Sequence, residues 1–427
     1  MLTRTMAIAF AATALVTCNT DDPALPGANG EPHERVVETR GDTTVVRTLS
    51  GSVWGKEAAL VPEVSIGELD GPDEYLFGNI YGIAVDGEGQ VHVLDGQAQS
   101  IRVFDSGGTY AETLTRRGQG PGELNNAMSV AVLPDGRVIA HDVSDMAVKV
   151  VGPAAVDREH WAFPAGALVL PVKPLRIDPN GRILVTAAGT APGGDITEYI
   201  IAMGSGGELL DSLAPPGIDF EPSSLEVRLP FPMGGRSTAS RAVPLTARYY
   251  WTVHPNGRFM TGISSDYRID LQSDDGVVRI ERTWEPVLVS EAERGYHREV
   301  TTASIQRTQP DWSWNGPPVP ETKRPFRGLV AGRDGRIWVQ LWTEARPVVN
   351  EDHDPDDPRS QPVTWVSPVR YDAFEPDGTY LGVLAAPDGF LVSPAEPIFD
   401  GDHVWAVTRD ELDVQRVVRY RIVVDHH

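Results

Sequence analysis

The sequence predicts an all-β fold: a six-bladed β-propeller of four-stranded antiparallel blades, its ring closed by an N-terminal strand, with a short helix in an insertion. Three observations carry this expectation. Short runs rich in Val, Ile, Phe and Tyr alternate with Asp-Gly or Asn-Gly turns along most of the chain, as pleated strands joined by tight hairpins require. One strand-and-hairpin unit recurs six times. The last copy ends one strand short, while the N-terminal region carries spare strand-like runs.

In chain order, residues 1–18 read as a targeting segment. Arg4 supplies a positive start, and Met6 to Val16 form an apolar stretch too short to span a bilayer. The stretch ends in Leu15-Val16-Thr17-Cys18, and Cys18 is the sole cysteine. This resembles a bacterial lipoprotein signal with its lipobox, although Thr17 stands where that pattern usually has Gly, Ala or Ser. The resemblance implies a lipid on Cys18 as the first residue of the mature protein. It also implies a place outside the cytoplasm, in a bacterial cell envelope. With one cysteine no intrachain disulfide can form, so stability must come from burial. Residues 19–35 are polar, acidic and Pro/Gly-bearing, which reads as a flexible tether. The propeller is then expected over 36–427.

The 427 residues provide ample chain for a large core. Sixty acidic residues against 37 basic ones leave a net charge of -23, which disfavours nucleic acid as a partner. The 42 Gly and 35 Pro suit many turns and few long helices.

The first complete unit runs from Ile80 to Glu123. Its strand-like runs are Ile80 to Val85, Val91 to Asp95, Ile101 to Phe104 and Tyr110 to Leu114. The inner strand and first turn return at Val130 to Arg137, Leu175 to Arg182, Trp251 to Arg258, Leu329 to Arg336 and Pro397 to Gly401. After Gln415 to Val424 the chain runs out. Leu60 to Ile66, within the N-terminal segment Val36 to Ile66, is therefore expected to supply the missing outer strand and remove an unpaired edge.

The first turns of every unit are tight. The long segments 214–246, 285–325 and 343–367 fall in the other set of connections, which in a propeller share one face of the disc. Long loops on one side of a rigid scaffold mark that side as functional. Within the second insertion, Ser290 with Glu293 three residues on predicts a capped helix to Gln306. Trp312 and Trp314 follow it, as cap packing or as a platform for a sugar or peptide.

Several residues are candidates for binding. Arg116, Arg117 and Glu123 flank the loop Gly118-Gln119-Gly120-Pro121-Gly122-Glu123, and Arg can grip a carboxylate with two hydrogen bonds. Asp95, His141 and Asp142 end second strands on the same expected face. A His beside an Asp is a candidate base or ligand, while Asp95 and Asp142 can instead bond loop amides. Asp352, Asp354 and Asp356 mimic the start of a calcium loop, but Asp357 occupies its glycine place and Val363 its bidentate glutamate place. No Cys or His spacing fits zinc. The Gly-rich loop lacks the Lys-Ser/Thr of a phosphate loop, and Gly204-Ser205-Gly206 lies in a hairpin with no helix after it. No cofactor is expected, and a divalent metal is not supported by spacing.

The repeat pattern and the Gly120-Pro121-Gly122-Glu123 loop resemble the six-bladed propellers of the NHL-repeat and TolB-like kind. In particular they are similar to bacterial lipoprotein propellers that carry such a loop after a blade. The resemblance covers about Val36 to Val424 and implies the fold. Relatives in that wider superfamily bind proteins or peptides, and some are hydrolases or lyases. The residues together favour a monomeric, membrane-tethered binding module for an envelope protein, peptide or glycan, gripped by Arg116, Arg117, Glu123, Asp95, Trp312 and Trp314. The alternative is a lyase or hydrolase, metal-assisted or not, working through His141 and Asp142.

Overall fold

The computed structural model describes residues 33–424 apart from 153–158, 165–166, 171–172, 191–195, 231–235, 352, 356 and 358–359. The targeting segment with Cys18, the tether up to residue 32, and Asp352 and Asp356 lie outside the described residues. Nearly every described element is a strand. One α-helix, Glu291–Gln306, and one short 3-10 turn, Asp73–Tyr75, are the exceptions among the described residues.

The strands form antiparallel four-stranded units, consistent with a propeller. In the first, Ile80–Val85, Val91–Asp95, Ser100–Phe104 and Tyr110–Thr113 pair in chain order. The second repeats this with Ala127–Val132, Val138–Asp142, Ala147–Gly152 and His160–Ala162. In the third, Ile183–Thr190, Ile196–Met203 and Leu209–Leu213 pair in order, and Arg176–Ile177 and Leu168–Val169 both pair with the first of them. The fourth contains Tyr249–Val253, Phe259–Ile263, Arg268–Ser273 and Gly276–Arg282.

An eight-stranded sheet joins a fifth unit to four more strands. Phe326–Ala331, Ile337–Leu341, Arg370–Phe374 and Tyr380–Ala385 form one half, and Ile398–Asp400, His403–Arg409, Gln415–Val423 and Ala58–Ile66 the other. Ala58–Ile66 runs antiparallel to Gln415–Val423, from Ala59 opposite Val423 to Ile66 opposite Val417. Its first residues also reach Leu384 and Ala385 in parallel, which joins the two halves.

The turns explain why the units repeat. Gly89, Gly136, Gly181, Gly257 and Gly335 close the first hairpins with φ between +75° and +88°, a region that disfavours any side chain with a Cβ. An aspartate before the glycine organises the turn from its side chain. Asp86 Oδ1 accepts the amides of Glu88 and Gln90, and Asp178 Oδ1 those of Asn180 and Arg182.

The units pack on one another through apolar side chains. Trp338 stacks on Phe399 with ring centroids 4.3 Å apart, across the two halves of the large sheet. Phe326 takes the edges of Tyr250 and Tyr267 of the fourth unit. Trp338, Phe326, Phe374 and Phe399 are fully buried, each contributing about 2–3 kcal/mol of transfer free energy.

One pairing was not foreseen. Thr43–Ser50, a spare strand in the sequence reading, runs parallel to Gly276–Arg282, and its hairpin partner Glu34–Arg40 lies outside it. The fourth unit thus becomes a six-stranded sheet. The physical reason is edge coverage: the long outer strand Gly276–Arg282 would otherwise present unpaired amides and carbonyls.

The first two insertions build a cap with its own core. The hairpin Ser224–Pro230 with Arg236–Ala242 supplies Leu225 and Val227, and these pack with Val243, Ile305 of the helix, Trp312 and Trp314. The helix starts where Ser290 Oγ accepts the Glu293 amide at 3.1 Å. Among the described residues no helix is long and apolar enough to cross a membrane.

Candidate functional site

The loop from Arg116 to Glu123 folds around the Glu123 carboxylate. Glu123 Oε2 accepts the Gly120 amide at 2.9 Å, and Oε1 accepts Arg116 Nε at 2.8 Å. A Cβ on Gly118 would collide with that same carboxylate. Arg117 donates to the Gln97 carbonyl on the neighbouring loop. Glu123 is therefore the centre of a self-bonded turn, while the Arg116 side chain remains 84% exposed.

Asp95 and Asp142 end equivalent strands and do equivalent work. Asp95 is buried; its Oδ1 accepts the amides of Gln97 and Ala98, and its Oδ2 that of Gly78. Asp142 is also buried and accepts the amides of Asn125, Asn126 and Ser144. Arg102 lies 3.7 Å from Asp95, and Lys149 3.0 Å from Asp142. Burial pushes the Asp142 carboxyl up, but the Asn125 amide and Lys149 outweigh it and hold the group below the usual range. Each aspartate pins the strand-entry loop to its own hairpin.

His141 points away from Asp142, because successive strand residues face opposite ways. It is 2% exposed, and its ring meets the edge of Phe163 at 5.3 Å. Burial pulls its pKa down to about 4, so it is held neutral inside the sheet. A consequence follows for stability. The unfolded chain takes up this proton near pH 6.5, the folded one only near 4, so stability falls as pH falls between those values. The loss from this one group is about 3 kcal/mol. Urea titrations at pH 7 and pH 4.5 are expected to show this drop in the wild type and a smaller one in His141→Gln. An equal drop in both would place the titrating group elsewhere.

The two tryptophans sit in the cap. Trp312 is 8% exposed and its indole donates to the Glu226 carbonyl. Trp314 meets Trp312 edge-on, donates to the carbonyls of Gly316 and Pro317, and carries Arg298 5.6 Å above its ring. The predicted residues thus fall into separate groups: the loop between the first and second units, and the cap that precedes the fifth.

Two cavities lie apart from these residues. The larger, about 860 Å³, is lined by inner-strand segments of all six repeats, among them Ile83, Val130, Ile177, Val253, Val330 and Ile398. Arg176 and Glu396 pair across it at 2.6 Å, and Arg333 donates to the Val85 carbonyl at 2.6 Å. Asp86, Glu88, Glu112, Asp135, Asp178 and Glu396 outnumber the lining cations Lys173, Arg176 and Arg333. His92 also lines it; neither ring nitrogen has a hydrogen-bond partner, and Nε2 lies 3.6 Å from Asp86 Oδ2. Burial lowers the His92 pKa, with Asp86 opposing.

The smaller cavity, about 450 Å³, lies where the fourth unit hands over to the fifth. Tyr267, Arg282, Trp284, Arg324 and Trp342 line it. The run Lys323-Arg324-Pro325-Phe326-Arg327, basic in an acidic chain, is the signal that could have pointed to it. Among the described residues no group of three His, Cys, Asp or Glu side chains is placed to hold a metal ion.

No family model matches the chain, and no curated protein matches it. Solved structures do. A putative exported protein from Bacteroides fragilis is 11% identical, with a TM-score of 0.43, over 84% of this chain and 95% of that one. A gluconolactonase from Xanthomonas campestris is 10% identical, with a TM-score of 0.39, over 85% and 99%. A virginiamycin B lyase from Staphylococcus aureus is 13% identical, with a TM-score of 0.34, over 81% and 95%. At such identities and TM-scores these likenesses do not extend to the chemistry of this chain.

Proposed function

We infer that the chain is a six-bladed propeller closed by Ala58–Ile66, acting as a binding module for an envelope protein segment, peptide or glycan. It works as a monomer outside the cytoplasm, tethered to a membrane through lipidated Cys18. The observation that carries this reading is the axial cavity, because segments from six successive repeats contribute to one wall. A ring of six accounts for that, and so does the pairing of the first long strand with the last. The three insertions leave from the connections expected on one face; Asp86, Glu88, Asp135 and Asp178 line the cavity from the first turns at its other mouth, and the ligand enters there. The excess of carboxylates favours a basic or neutral segment over an acidic one.

The test is capture of partners from an envelope extract by the full chain. Glu88 and Glu112 line the cavity and are exposed, so Glu88→Lys with Glu112→Lys reverses charge without disturbing the core. Loss of the captured partner in this double variant is expected; unchanged recovery rejects the cavity as the site. The rival reading, a lyase or hydrolase, no longer has His141 available and would rest on His92 beside Asp86. Chemical change of the captured partner by the wild type, abolished in His92→Gln, would move the assignment to that class.

A further inference from the structure

We propose that the 450 Å³ cavity between the fourth and fifth units is a second, separate site, which binds a small carboxylate carried on a flat ring. The argument begins with charge. A chain of net charge -23 repels free anions, so an anion site needs a local concentration of cations. Here Arg282 and Arg324 line the cavity, and Lys323 and Arg327 stand over the ring of Trp342, which lines it as well. Three of them are engaged: Lys323 with Glu293 at 2.8 Å, Arg282 with Asp372 at 2.7 Å, and Arg327 over the Trp342 ring at 4.2 Å.

Arg324 is different. It lines the cavity, its Nε is buried, and that nitrogen has no hydrogen-bond partner. No acidic side chain pairs with its guanidinium among the described residues. With Nε buried, the two terminal nitrogens of the guanidinium are left to meet an anion in the cavity. Guanidinium groups take carboxylates with two parallel hydrogen bonds. Trp284 and Trp342 supply indole surface to the same cavity, which suits the apolar face of an aromatic or sugar ring. Glu285 also lines it, but as an exposed residue. It therefore sets the rim and excludes a second negative charge on the ligand.

The experiment uses the full chain and four probes: benzoate with its neutral counterpart benzamide, and D-glucuronate with D-glucose. Binding is followed by tryptophan fluorescence and by saturation-transfer NMR on the probe. At least one acid is expected to bind about tenfold or more tightly than its neutral counterpart. Its affinity should fall with added salt. Benzoate alone would identify an aromatic acid, glucuronate alone a sugar acid, and both the shared chemistry. Arg324→Gln is expected to weaken the acid about ten- to a hundredfold, with Arg324→Lys in between, because charge is kept but the fork is lost. If neither acid binds at millimolar concentration, or if acids and neutral counterparts bind alike, the proposal is overturned even without a variant. Binding by a folded Arg324→Gln protein at wild-type strength overturns it as well. Loss of partner capture at the axial cavity has no bearing on this outcome, since the two sites share no residue.

Discussion

Asp372→Ala is expected to lower the free energy of unfolding by about 4 kcal/mol, the range for removing one partner of a buried ion pair. Asp372 lies on Arg370–Phe374 and is fully buried. It accepts hydrogen bonds from Tyr267 Oη at 2.6 Å, Tyr380 Oη at 2.7 Å and Arg282 Nη1 at 2.7 Å. Arg282 in turn lies 4.3 Å above the Tyr380 ring. Burial pushes the Asp372 carboxyl up, and Arg282 with the two hydroxyls opposes that push. Alanine would leave a guanidinium without its carboxylate and two buried hydroxyls without an acceptor. The network joins Tyr267 and Arg282 of the fourth unit to Asp372 and Tyr380 of the fifth, so the loss falls on the seam between sheets.

Tyr380→Phe removes one donor and leaves the ion pair intact, so about 1 kcal/mol is expected. Asp372→Asn keeps the shape and lies between the two. Urea unfolding of the three variants checks the order. A loss for Asp372→Ala no larger than for Tyr380→Phe would mean that the Arg282 pair contributes nothing and that the seam is held by apolar packing alone.

The same network marks where sequence reading stops. Tyr267 is 105 residues from Asp372, and nothing local distinguishes this aspartate from one at a strand edge. Turns behave otherwise, since the aspartate and glycine that make them lie within four residues of each other. Asp86 with Gly89 and Asp178 with Gly181 could be read directly. Ala58–Ile66 was readable because the last repeat lacked a strand. The partner of Thr43–Ser50 was not, because its pairing depends on an edge more than 200 positions away in the chain. His141 beside Asp142 looked like a pair; strand geometry turns the two in opposite directions, one onto Phe163 and the other onto loop amides. Arg324 stands in a basic run that the sequence reading passed over, and that its Nε lacks a partner is a property of the packed chain.

The second large effect concerns the cap. Glu293→Ala is expected to cost about 3–5 kcal/mol, because it strands Lys323. The Lys323 side chain is 0% exposed, and its Nζ lies 2.8 Å from Glu293 Oε1 and donates to the Thr343 carbonyl at 2.8 Å. Glu293 also sits in the first turn of Glu291–Gln306, where negative charge favours the helix. The pair therefore ties the helix of the second insertion to Thr322–Lys323, the strand that leads into the fifth unit. Removing both charges together has a different outcome. In Glu293→Leu with Lys323→Met the buried space stays filled by apolar atoms and neither charge is left alone, so stability is expected within about 1 kcal/mol of the wild type. Hydrogen exchange along 291–306 reads whether the loss is confined to the cap. If the double variant were as unstable as Glu293→Ala, the cost could not come from an abandoned charge. The helix would then be held by Ile305, Trp312 and the hairpin core instead.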